Sequence, residues 1–520
     1  MKHRLFFVSI SVSFLVAFSY SSGFSQNNKN TENTGSILNE KELLQYLDQK
    51  EKAYESLMVT LGLNYWNYYA REGTYELKPI KALVAEFFSD PQFSSVLSEW
   101  GRKLPMVRDS LLKQRIFLWN NLHKASTITL NPEVMNLQSR IEDSISAMLA
   151  ANIFTASPSL EKLTLSLIKL RNERACKLGY ANFADASLDL SLMDTSFYYH
   201  SCRLIVSMTD SIYMELIKEY KEQKKINEYG LRDYFGLYQK YAASSYEAAI
   251  TGDSSLFYIQ KSLANIGIDY SSLPMKMFIE KELPPPVGGQ GIAVRIPDDF
   301  RIVVVPNLPF SSRMHEMGHG LHGMLNTINA PVLKGYEWLL GGVTPIFSEG
   351  MAEVMAEFTR NPEWLEKYKH INPDSLKKNA LANAKYFTAY VRYFLAQSMM
   401  ELEIYKNPDQ DLSALYNKVM MKYLLIEKPV KRPFQLTDNM IVSYPVYQHN
   451  YLFGEIVAWQ VHRALRNKFG NNFVFHPQTG SFLKEKLYSD GEYYPWQQRM
   501  KRATGKELDV AGYVKNKLNP

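Results

Sequence analysis

The segment Leu283–Gly291, LPPPVGGQG, sets three prolines and three glycines within nine residues. No helix continues through such a stretch, because each proline lacks an amide donor and each glycine leaves the backbone unrestrained. A loop is predicted there. Elsewhere apolar residues recur three and four apart, as in Leu43–Met58, Ala82–Gly101, Ser159–Leu178 and Thr209–Gln223, which is the period of an amphipathic helix. The chain therefore reads as mainly α, a large helical fold, with no internal repeat.

Beyond the loop the pattern changes. Ile292–Ile296 and Phe300–Val305 are short β-branched runs parted by Pro297-Asp298-Asp299, the signature of a small hairpin. After Pro306 and Pro309 the helical period returns, with Ser311 or Ser312 as the expected N-cap. The segment that follows is expected to form the first turns of a helix beside a small β-sheet.

At the amino end, Lys2 and Arg4 precede an apolar run from Leu5 to Phe18, and Gly23-Phe24-Ser25 offers small residues before Gln26. This is the pattern of a cleavable export signal over residues 1–25. The run falls short of the ~20 residues that cross a bilayer, so a periplasmic or extracellular location without stable membrane insertion is expected. Residues 26–36 are polar and read as a flexible leader, leaving 37–520 as the helical domain. Cys176 and Cys202 are the two cysteines; a disulfide between them and two free thiols are both open. The 59 Lys+Arg stand against 53 Asp+Glu without a run of five like charges, which removes the electrostatic footprint of a nucleic-acid partner.

The motif that carries chemistry is His315-Glu316-Met317-Gly318-His319, an H-E-x-x-H match. Two imidazoles four apart project from one face of a helix, close enough to reach one ion. Zinc accepts neutral imidazole and in catalytic sites takes three protein ligands with a fourth position open. The third ligand is not a histidine six beyond His319, since Leu325 stands there. Nor does a G-x-M-E-N segment precede the motif, so aminopeptidase action loses its support. Ser348-Glu349-Gly350-Met351-Ala352-Glu353 instead offers two carboxylates at i and i+4, with Glu349 lying 30 residues beyond His319. One Zn2+ per chain, held by His315, His319 and Glu349, is the expectation.

Asp299-Phe300-Arg301-Ile302, HEMGH and the stretch Phe347–Tyr368 together resemble the catalytic region of the angiotensin-converting enzyme (peptidyl-dipeptidase A) family. The longer string HEMGHGLHGML is similar to the thimet oligopeptidase family, and Asn172–Asp185 resembles a segment that both carry. The resemblance implies a two-lobed helical zinc peptidase of peptidyl-dipeptidase or oligopeptidase type, with short peptides as partners cleaved inside a deep channel. In that reading Glu316 is the general base that activates the metal's water. Glu353, where the family has aspartate, orients a ligating imidazole. Tyr451 falls on the position of the tyrosine that steadies the oxyanion, and Tyr447 and Gln448 are expected to line the same groove on one helical face. Tyr390 and Tyr393 form a competing tyrosine block, set in a stretch that reads as core. His322 is expected in the core or behind the site rather than on the metal.

Two departures from the family pattern stand out. Ile441 occupies the place of a histidine that both families carry before the tyrosine, and His449, two residues before Tyr451, sits on the wrong side of a helix to replace it. No lysine matches the one that holds a substrate's terminal carboxylate. The alternative to an active peptidase is therefore a catalytically weakened or inactive peptide-binding homologue.

Overall fold

The computed structural model of this chain describes residues 39–151, 157–242, 254–281, 283, 288–430 and 439–519. The segments expected as an export signal and a leader, and most of the proline run, lie outside these residues. Within them the fold is mainly α with one small sheet, as the apolar periodicity predicts.

The first helix, Glu40–Ala70, begins where the Asn39 side chain accepts the Glu42 amide at 3.0 Å and ends at Arg71 in the left-handed region. The stretch expected as one helix over Ala82–Gly101 is two, Leu77–Phe88 and Pro91–Lys103. Asp90 takes the Gln92 and Phe93 amides at 2.9 and 3.3 Å, and Pro91 supplies no donor to continue the preceding helix. The apolar period runs on across the break because Val84, Phe88, Phe93 and Leu97 enter the same core.

The sheet has three strands: β1 (Met275–Ile279), β2 (Gly289–Arg295) and β3 (Asp299–Val304), in the order β1-β3-β2. β2 and β3 form the antiparallel hairpin, and β1 runs parallel to β3 with Met275 opposite Phe300. β1 escapes a sequence reading because MKMFI is short, interrupted by lysine, and paired through a long-range contact. The first helix lies across β2 so closely that a Cβ on Gly62 would stand 3.0 Å from the Ala293 carbonyl oxygen.

Three helices carry the site. The motif helix, Phe310–Met324, starts two residues earlier than Ser311 as the N-cap would allow, with Pro309 at the N-cap and no side-chain cap. The glutamate helix, Pro345–Phe358, packs on it, and the tyrosine helix, His449–Phe469, packs on the glutamate helix. Glycine makes both approaches possible. A Cβ on Gly318 would lie 2.5 Å from the Ala352 Cα, and one on Gly350 would lie 2.5 Å from Val457 Cγ1. Among the described residues no helix is long and apolar enough to cross a membrane. Cys176 is exposed, Cys202 is buried, and both are free, which settles the choice between a disulfide and two thiols.

Candidate active site

His315 and His319 sit one turn apart on the motif helix, with their Nε2 atoms 3.2 Å from one another. From the neighbouring helix Glu349 points its Oε2 at both, 3.3 Å from His315 Nε2 and 3.9 Å from His319 Nε2. These three side chains offer ligand atoms all within 4.8 Å of one another, a group that could hold a metal ion.

The other nitrogen of each ring is spoken for. His315 Nδ1 stands 2.9 Å from Glu353 Oε1, the contact expected of Glu353. His319 Nδ1 stands 3.1 Å from the Ser348 hydroxyl and 3.6 Å from Glu337 Oε1, and Ser348 donates its own hydrogen to Glu337. With a carboxylate on each far side, the Nδ1 of a neutral ring carries the proton, which leaves Nε2 as the nitrogen that would face a metal. Burial works to lower both imidazoles. For His315 the Glu349 and Glu353 carboxylates outweigh it and hold the ring well above its ordinary value; for His319 Glu337 and Glu349 outweigh it and raise the ring.

Glu349 Oε2 is buried and has no hydrogen-bond partner among the described residues. A buried carboxylate oxygen in that state is costly unless a cation or a donor meets it. Two imidazole nitrogens and this orphaned oxygen converging on one point fit a divalent metal. The other Glu349 oxygen, Oε1, accepts the Tyr447 hydroxyl at 2.6 Å.

Tyr447 thus takes a different place from the one its sequence position predicts. The tyrosine helix begins only at His449, Val446 holds φ of 58°, and Tyr447 lies in the turn before the helix rather than on its face. Its ring still meets that of Tyr451, edge to face at 5.5 Å. Gln448 is the residue that enters the helix, half-buried, and its side chain makes no hydrogen bond to a described residue. The Tyr451 hydroxyl likewise has no hydrogen-bond partner among the described residues. Burial first, then the negative charge of Glu349 and Glu316, raises it well above its ordinary value.

Glu316 is anchored by the sheet: its Oε2 accepts the Gly291 amide of β2 at 2.6 Å. A Cβ on Gly291 would stand 3.1 Å from that oxygen and 2.8 Å from Phe300 Cζ, so the strand can come this close only as glycine. Glu337, Ser348 and Gly291 were not legible as site residues. Glu337 lies in a turn-rich stretch between helices where no periodicity singles it out, and Gly291 reads only as part of the loop.

The remaining candidates fall outside the cluster. His322 is buried, packs its Nε2 against Arg499 Nη2 at 2.9 Å, and is pushed down to about 3 by burial and then by that guanidinium. It belongs to the core, as expected. The Tyr390 hydroxyl donates to Glu455 at 2.8 Å, and the Tyr393 ring stacks on Tyr234. His449 is buried against the Tyr198 ring and its Nε2 has no partner. Ile441 is buried, and its carbonyl accepts from Arg171.

No curated protein matches this chain. Among solved structures it is similar to a carboxypeptidase of Pyrococcus furiosus, with a TM-score of 0.64 and 15% identity over 93% of this chain and 99% of that one. An M32 carboxypeptidase of Deinococcus radiodurans R1 gives 0.64 and 12% over 91% and 97%. Metallocarboxypeptidase 1 of Trypanosoma cruzi gives 0.63 and 13% over 92% and 100%. At these identities the likeness establishes the helical fold, which the chain shares along nearly its whole length. The sequence itself supports a metallopeptidase more directly: residues 312–517 match the description Peptidase family M3, a span that holds every side chain of the cluster built above.

Proposed function

We propose that the protein is an exported zinc peptidase that hydrolyses short peptides, with His315, His319 and Glu349 holding the metal and Glu316 as general base. The observation that carries this reading is the buried, unpartnered Glu349 Oε2 facing two imidazole nitrogens whose other sides are fixed by carboxylates. Two nitrogens and one carboxylate oxygen are a donor set of catalytic zinc, which keeps a fourth position for water or substrate. When bound there, zinc supplies Lewis acidity toward a peptide carbonyl and water.

The chain's own residues do the rest. Gly291 holds Glu316 Oε2, leaving Oε1 to take a proton from the attacking water and return it to the departing amine nitrogen. Tyr451, with a hydroxyl that no described residue engages, donates to the oxyanion that forms on the carbonyl oxygen. Tyr447 and Glu353 hold Glu349 and His315 in orientation. Since the similar solved structures carry carboxypeptidase titles, release of residues from a peptide's carboxyl end is the cleavage mode that reading favours.

The test is Glu316→Gln. The variant should bind zinc like the parent in a chelator competition while peptide hydrolysis falls by about 10² to 10⁴, the share of a general base. Hydrolysis of a mixed peptide library at the parent's rate would overturn the mechanism. Product masses from the parent report where the cut falls.

A further inference from the structure

Behind the glutamate helix, apart from the metal cluster, a cavity of 430 Å³ is lined by Arg360, Arg463, Arg466, Lys517, His462 and Trp459 among others. Four permanent cations face it against a single carboxylate, Glu357. Glu357 already accepts Arg360 at 2.6 Å and stands 3.7 Å from Lys517. Among the described residues Arg463 pairs only with the more distant Asp509, at 3.7 Å. Arg466 has no ion pair with a described residue and lies 5.8 Å over the Phe473 ring. The surplus is positive, and it is felt: though burial raises Glu357, Lys517, Arg360 and His462 hold it down at about 2.

A second observation points the same way. Asn361 lines the cavity at 4% exposure, uses its Oδ1 to cap the following helix at 3.0 and 3.1 Å, and leaves its Nδ2 buried without a partner among the described residues. An amide donor in that condition calls for an acceptor. Guanidinium forks recognise planar or tetrahedral oxyanions two bonds at a time, which lysine alone does not.

We infer that this cavity is a binding site for a small polyvalent oxyanion, a phosphate-bearing or multiply carboxylated molecule, held by Arg360, Arg463, Arg466 and Lys517 with the Asn361 amide as a further donor. The site is independent of the metal reading. It does share one side chain with the cluster, since Arg360 also stands 3.9 Å from Glu353 Oε2.

Isothermal titration of the full chain with pyrophosphate, at ionic strength fixed with sodium chloride, is the experiment. Saturable binding at one site per chain is expected. In the Arg463→Gln/Arg466→Gln variant, whose substituted side chains are exposed and outside the core, the dissociation constant should rise about tenfold or more, the scale of one lost charge-assisted hydrogen bond. Circular dichroism and melting temperature like the parent's establish that the variant is folded. Citrate in place of pyrophosphate separates the two sources: tighter binding of pyrophosphate assigns the phosphate class, tighter binding of citrate the carboxylate class. Absence of saturable binding of both by the parent, or equal affinity in parent and double variant, overturns the proposal.

Discussion

Gly454 of the tyrosine helix rests directly on Glu349: a Cβ at position 454 would stand 3.0 Å from both the carbonyl carbon and the Cβ of Glu349, and 3.0 Å from the Gly350 amide nitrogen. These neighbours are mostly backbone, which cannot swing aside. Gly454→Ala should therefore push the glutamate helix away from the motif helix, where Gly318 and Ala352 are already in contact. Overpacking of this kind costs about 1–3 kcal/mol. A lower melting temperature together with weaker zinc binding is the expected pair of results; a variant with parental values in both would show that the two helices yield independently of Glu349.

The two tyrosines separate metal holding from chemistry. Tyr447 spends its hydroxyl on Glu349 Oε1, so Tyr447→Phe should weaken zinc affinity, by about tenfold for one hydrogen bond to a charged group. Tyr451 makes no such bond. Tyr451→Phe should leave zinc affinity unchanged while kcat falls by about 10² or more. Measuring zinc dissociation constants and peptide turnover for both variants tests the division, and a loss of turnover confined to Tyr447→Phe would reverse the assignment.

On His319 the carboxylate support comes from Glu337, with Ser348 between them. Replacing Glu337 by Gln keeps the hydrogen-bond acceptor but removes the charge. Zinc affinity should drop about ten- to a hundredfold, as it does when the carboxylate behind a ligating histidine is lost. Chelator competition reads the change. The same loss in Ser348→Ala would assign the support to the whole Ser348–Glu337 pair, and a parental affinity in both would remove Glu337 from the site.

These residues also mark how far the sequence could be read. The H-E-x-x-H pair and the Glu349/Glu353 pair were legible because each is a local event: four residues along one helix fix which side chains share a face. The Glu353–His315 contact joins two helices and was expected only from the family resemblance, in which an aspartate holds the same place. Glu337 was not legible, because a turn residue acquires its neighbour only when the helices on either side have packed. Tyr447 was legible as a site residue and misread in its setting. The reading assumed a helix through position 447, whereas Val446 at φ of 58° turns the chain and starts the helix two residues later. The strand β1 and the break at Pro91 belong to the same division: one needed a partner 25 residues away, and the other needed the capping role of Asp90 to outweigh an unbroken apolar period.

His449 provides a dependence on pH that does not involve the metal. Burial holds its imidazole down at about 3 in the folded chain, against roughly 6.5 for a histidine in water. Above about 6.5 the ring is neutral in both states, and the contribution to stability is fully present. As pH falls below that value the unfolded chain takes up a proton that the folded chain refuses until about 3, so stability is lost progressively across this window. His449→Phe keeps a ring of similar shape against Tyr198, 5.3 Å away in the parent, and removes the titration. Urea unfolding of parent and variant from pH 7 down to about 4 should show the parent losing stability more steeply, with the variant gaining on it at each step. The other histidines are common to both proteins and cancel in the difference. Parallel curves would mean that His449 is protonated in the folded chain, and that an acceptor or water meets its Nε2–H.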